Sequence, residues 1–188
     1  MTASQAAGVD AAGLRHAVRR EGDAVLAGQP PSPGIEADLA PYEAWRATVV
    51  ASLCADIRSA VRPEVDVRVI STCQRPHATC YLEGGDLAAM DRATDGLELP
   101  IYQPSATDAR SDLDHVIATV GDVSRLSVIL RPGLPDMTTQ DQVAETIGAV
   151  LATGVRDLSF YNYGLLPARE IAWLEATVRV LREGTRNG

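Results

Sequence analysis

Four short runs of β-branched and apolar residues recur about every 30 positions: 65–72 (VDVRVIST), 96–102 (GLELPIY), 125–130 (RLSVIL) and 155–161 (VRDLSFY). That interval accommodates a strand, a loop, a helix and a returning loop, the repeat of parallel α/β folds. The intervening segments carry helical spacing. Residues 86–93 make a short helix, and 106–120 place Leu113, Val116, Ile117 and Val120 three and four apart. Residues 138–153 open on Thr138 or Thr139 as N-cap, continue with Val143, Ile147, Val150 and Leu151, and stop at Gly154. Pro167 starts the last helix, with Ile171, Leu174, Val178 and Leu181 as its inward stripe.

Ahead of the first strand lie two helical segments, 11–26 and 35–61, divided by the turn GQPPSPG. The second repeats Tyr42, Trp45, Val49, Leu53 and Ile57, which predicts a helix covering the sheet with that stripe turned inward. The chain therefore reads as one α/β domain over residues 1–188. Its parts are an N-terminal helix and Pro-rich turn (1–34), a long covering helix (35–62) and four βα units (63–184). Right-handed crossovers make a parallel (βα)4 half-barrel-like sheet or a small open, doubly wound sheet. A half-barrel exposes unpaired strand edges. It calls for a homodimer, another homo-oligomer or a complementary half-barrel chain.

Composition narrows the chemistry. The apolar share of 46% against 22% charged residues fits a packed globular core rather than disorder. All 17 basic residues are arginine, so no lysine Schiff base and no Walker-type phosphate loop is available. A net charge of −8 disfavours nucleic acid and acidic membrane surfaces. No apolar run approaches a membrane span and the N-terminus lacks a secretion pattern, which predicts a cytoplasmic location. Three cysteines, Cys54, Cys73 and Cys80, make no disulfide framework.

The segment GVRDLSFYNYGLLPAREIAWLEA (residues 154–176), with its YNYG, resembles the end of a group of uncharacterised, alanine-rich, glycoside-hydrolase-like TIM-barrel proteins. GVDAAGLRHAVR (8–19) and YEAWRATVVASLCADIRSAV (42–61) extend the likeness over most of the chain. The resemblance implies that these units correspond to the last four of an eight-unit barrel. It implies fold more than activity, because glycosidases need two carboxylates about 5–10 Å apart. The strand ends Ser71-Thr72-Cys73, Tyr102-Gln103, Arg131-Pro132 and Tyr161-Asn162-Tyr163 contain no acidic residue.

Parallel α/β folds place their sites at the C-terminal strand ends, and those positions supply the candidates. Tyr161, Asn162 and Tyr163 combine amphipathic rings with a donor–acceptor amide, suited to a small polar or sugar-like ligand; core filling by one tyrosine is the competing reading. Gln103 joins them. Arg131 has the donor fork to hold a carboxylate or phosphate, or else pairs with Asp136. Cys73 is a candidate nucleophile beside His77. Glu98, alternating with Leu97 and Leu99, is a candidate interior carboxylate or half of a buried ion pair. Cys73, His77 and Cys80 also form a possible soft-metal set, but with no fourth ligand nearby the loop is read without metal and without cofactor. The sequence thus predicts a ligand-binding TIM-barrel-like domain, with a non-catalytic interaction subunit that completes a barrel as the alternative.

Overall fold

The computed structural model describes residues 8, 10–29, 34–73 and 84–184. Helices α1 (Ala11–Leu26) and α2 (Ile35–Ala60) precede four strand-helix units. These are β1 (Arg68–Ile70), α3 (Leu87–Ala93), β2 (Gly96–Pro100), α4 (Ala106–Val120), β3 (Leu126–Leu130), α5 (Gln140–Leu151), β4 (Asp157–Phe160) and α6 (Ala168–Gly184). The strands are shorter than their apolar runs, and β1 keeps only three residues of the predicted eight-residue run.

Local chemistry sets the helix starts. Asp10, Asp86 and Ser105 accept backbone N–H groups at the heads of α1, α3 and α4. Thr139 forms a reciprocal capping box with Gln142 at α5. Each satisfies donors that a helix start otherwise leaves open. Gly121, at φ 85°, ends α4 in the left-handed region where a side chain would be strained.

All strands are parallel, in the order β1-β2-β3-β4. Register and burial divide the sheet into two unlike faces. Val69, Leu97, Leu99, Leu126, Val128, Leu130, Leu158 and Phe160 enter one apolar cluster with Leu87 and Met90 of α3, Leu113 and Val116 of α4, Val143 and Ile147 of α5, and Trp173 and Leu174 of α6. One cluster holding one sheet face and helices from every unit means that the helices lie together on that face. The doubly wound alternative is thereby set aside, and the half-barrel-like reading stands. Each large aliphatic side chain fully buried there contributes about 1.5–3 kcal/mol. The alternate residues Arg68, Ile70, Glu98, Pro100, Ser127, Ile129, Asp157 and Ser159 form the opposite face, open in the sense that no crossover helix lies on it, although Ser127 and Ile129 of β3 are themselves buried. On it, Arg68 of β1 lies 3.8 Å from Asp157 of β4, so the two edge strands approach one another on this side.

The bottom of the sheet is tied by two arginines. Arg125 donates from Nε to Asp91 Oδ1 (2.8 Å) and from Nη2 to the carbonyls of Asp91 (2.6 Å) and Thr94 (2.8 Å), satisfying acceptors at the end of α3. Asp95 accepts from the Val67 N–H (2.8 Å) and pairs with Arg58 of α2 (2.8 Å), fixing the entry to β1. The Val67 bond first, then Arg58, holds the Asp95 carboxyl below the usual carboxylate range.

The long helix α2 departs from its predicted orientation. Val49, Leu53 and Ile57 are exposed, while Val50 and Cys54 join the core and Tyr42 stacks on Trp45 at 5.9 Å. It packs beside α3 and α1 rather than over the sheet, so it is a flanking helix and not a covering one. Burial pushes the Cys54 thiol upward. Arg20 of α1 pairs with Asp38 of α2 at 2.7 Å, tying the two N-terminal helices together.

Two glycines should respond oppositely to alanine. A Cβ on Gly96 would stand 2.2 Å from the Arg125 carbonyl oxygen, whereas one on exposed Gly148 in α5 meets nothing within 4 Å. Gly96→Ala is expected to cost about 1–3 kcal/mol and Gly148→Ala to stabilise by about 0.5–1 kcal/mol in urea denaturation. Midpoints shifting in the same direction would contradict this packing.

Candidate functional site

The alternation of the open face continues past the strand ends, carrying Tyr102 after β2, Arg131 after β3 and Tyr161 after β4 onto that side. The Tyr102 and Tyr161 rings stack across the intervening strand, centroids 6.2 Å apart and planes 28° apart. The Arg131 guanidinium carbon sits 4.7 Å from the Tyr102 centroid, a cation–π distance. Burial pushes the Tyr102 phenol above its ordinary range, with Arg131 pulling it the other way.

Beyond this group a cavity of about 400 Å³ is lined by Arg131, Leu134, Tyr161, Asn162, Leu165, Leu166, Pro167 and Glu170. Its size lies within the usual range for small-ligand sites, and its wall is mainly apolar with a few convergent polar groups. Asn162 follows Tyr161 through a cis peptide. Its side-chain oxygen accepts from Gly164 N–H (3.2 Å) and its carbonyl from Leu165 N–H (2.9 Å), shaping the 3-10 turn Tyr163–Leu165 that forms one wall.

Three sequence candidates, Arg131, Tyr161 and Asn162, therefore meet in one cavity. Gln103 does not line it, because its amide donates to the buried Asp112 of α4. Cys73 lies in the apolar core at 1% exposure, and Glu98 is half-buried on the open face, so neither candidate reacting group joins the cavity. The Tyr163 side chain, His77 and Cys80 lie outside the described residues. Among the described residues, no three His, Cys, Asp or Glu side chains gather as a metal site, and no helix is long and apolar enough to cross a membrane.

Two carboxylates are brought to strand ends that contain none in sequence. Asp136 pairs with Arg131 and keeps the guanidinium charged, which realises the structural alternative for that arginine. Glu170, in the first turn of α6, is 1% exposed and lies in the cavity wall. Gly133 makes room for it, since a Cβ there would fall 2.1 Å from Glu170 Oε2. Sequence reasoning passed over Glu170 because an acidic residue in a helix's first turn has an ordinary explanation in the helix dipole. The one local signal is Gly133 in the turn after β3, and only the fold puts the two together.

Two other cavities are chemically plainer. One of about 420 Å³ opens at the opposite ends of β3 and β4 beside Ser124, Arg156 and Asp157. One of about 310 Å³ lies between α1 and α2 near Asp10, His16 and Asp38. Neither combines an aromatic face, an amide and a buried carboxylate. No family model, curated protein or solved structure matches the chain.

Proposed function

We propose that the chain is a half-barrel-like domain that binds a small polar, sugar-like ligand at the C-terminal ends of β3 and β4. The observation carrying this reading is the 400 Å³ cavity in which Tyr161, Asn162, Arg131 and Glu170 converge. A tyrosine face suits the apolar side of a sugar ring, while the amide and charged groups suit its hydroxyls. Asp136 anchors the Arg131 guanidinium at the cavity wall. Binding of a polyhydroxy ring is the function; any reaction would fall to Glu170 as acid or base, the buried carboxylate nearest the ligand.

The outer edges of β1 and β4 favour a second, compatible property. Among the described residues neither edge is paired, and Ile70 of β1 is 63% exposed. Two copies related by a two-fold axis, or one copy and a complementary half-barrel, would satisfy both edges by pairing β1 with β4 of the other half.

Saturation-transfer NMR with a monosaccharide panel at millimolar concentration should detect binding to the intact chain. Asn162→Ala should weaken it about threefold to tenfold, the effect of losing one hydrogen bond. Undiminished binding by that variant removes Asn162 from the site. Sedimentation equilibrium should give twice the chain mass if copies complete one another; a monomer at every concentration excludes self-completion.

A further inference from the structure

We infer that the strand-end cavity selects a cationic sugar, of the amino-sugar class, over an anionic one, and that Glu170 is the selecting group. The inference rests on the ligand-site reading above and adds the sign of the charge that the site accepts.

The two formal charges in the cavity wall are unequally compensated. Arg131 spends its charge within the protein: its guanidinium pairs with Asp136 and lies over the Tyr102 ring. An incoming carboxylate or phosphate would compete with a partner already in place, and the Asp136 charge would repel it. The positive group most visible in sequence is therefore a poor anion clamp.

Glu170 has the opposite situation. Its residue is 1% exposed, and its one ion pair among the described residues is a 3.5 Å approach from Arg169 Nη2. The Arg169 side chain is 66% exposed and rests over the Trp173 ring at 5.1 Å, so solvent screens much of its charge. The start of α6 offers Glu170 partial compensation through the helix dipole. Its other carboxylate oxygen lies against the side-chain-free backbone at Gly133. A carboxylate withdrawn from water in a mainly apolar wall exerts a stronger field on a bound charge than one in solvent. The cavity therefore presents a net negative field to whatever enters, in the same sense as the chain's overall charge of −8.

Glucosamine, glucose and glucuronate present the same ring with a positive, neutral and negative substituent. Titrated into the full chain at neutral pH and followed by NMR, they should bind in that order, glucosamine at least about tenfold tighter than glucuronate. Glu170→Gln keeps the shape of the side chain and should abolish the preference, so that the variant binds glucosamine no more tightly than it binds glucose. On the native chain, added salt should narrow the glucosamine-to-glucose ratio, a readout that does not require the variant to fold. Glucuronate bound as tightly as glucosamine, or a salt-independent ratio, overturns the charge assignment and leaves the ligand site standing. Glucosamine preference that survives Glu170→Gln overturns the role of Glu170. Failure of all three sugars to bind overturns the ligand-site reading and this inference together.

Discussion

The structure depends on a single topological constraint: four parallel strands in sequential order, with every crossover helix on the same side. Because side chains alternate along a strand, that arrangement splits each strand into a helix-facing set and an open set. Leu97, Leu99, Val128 and Leu130 are consumed by the core, and their neighbours Glu98, Ser127 and Ile129 are delivered to the other face. The same parity carries Tyr102, Arg131 and Tyr161 to one side where the strands end. The site is a continuation of the sheet's register into the loops.

Packing at the site turns that placement into chemistry. The stacked tyrosines and the Arg131–Asp136 pair brace three successive loops against one another. The first turn of α6 then closes the wall, and Gly133 admits Glu170 where any side chain would exclude it. The result is a cavity whose strongest positive group is already neutralised and whose carboxylate is held away from water. Such an arrangement is costly for folding alone, since a buried carboxylate whose ion-pair partner is the largely exposed Arg169 at 3.5 Å is only partly compensated. Under the proposed function it is a charge held ready for a ligand.

Much of this was legible in the sequence. The 30-residue recurrence located the four units, and the spacing of Leu113 with Val116 and of Val143 with Ile147 identified the faces that are buried. Strand ends pointed to Arg131, Tyr161 and Asn162 because parallel sheets place their loops there. The orientation of α2 was not legible for a physical reason: Val50 and Cys54 interleave with Val49, Leu53 and Ile57, so apolar residues occupy two faces of the helix and periodicity cannot choose between them. Glu170 was hidden for another. Its significance arises from a contact with Gly133, 37 positions away, and no local pattern encodes that approach.

Among the described residues the outer edges of β1 and β4 carry no partner strand, and the proposed completion by a second half-barrel would pair them while leaving the strand ends open at one mouth. The central claim, that a ligand is held where β3 and β4 end, is met most directly by a crystal structure of the chain grown with glucosamine. The account predicts ligand density in the cavity between Tyr161, Asn162 and Glu170. Density instead beside Arg156 and Asp157 at the opposite end of the sheet, or between α1 and α2, with the strand-end cavity empty, would contradict it.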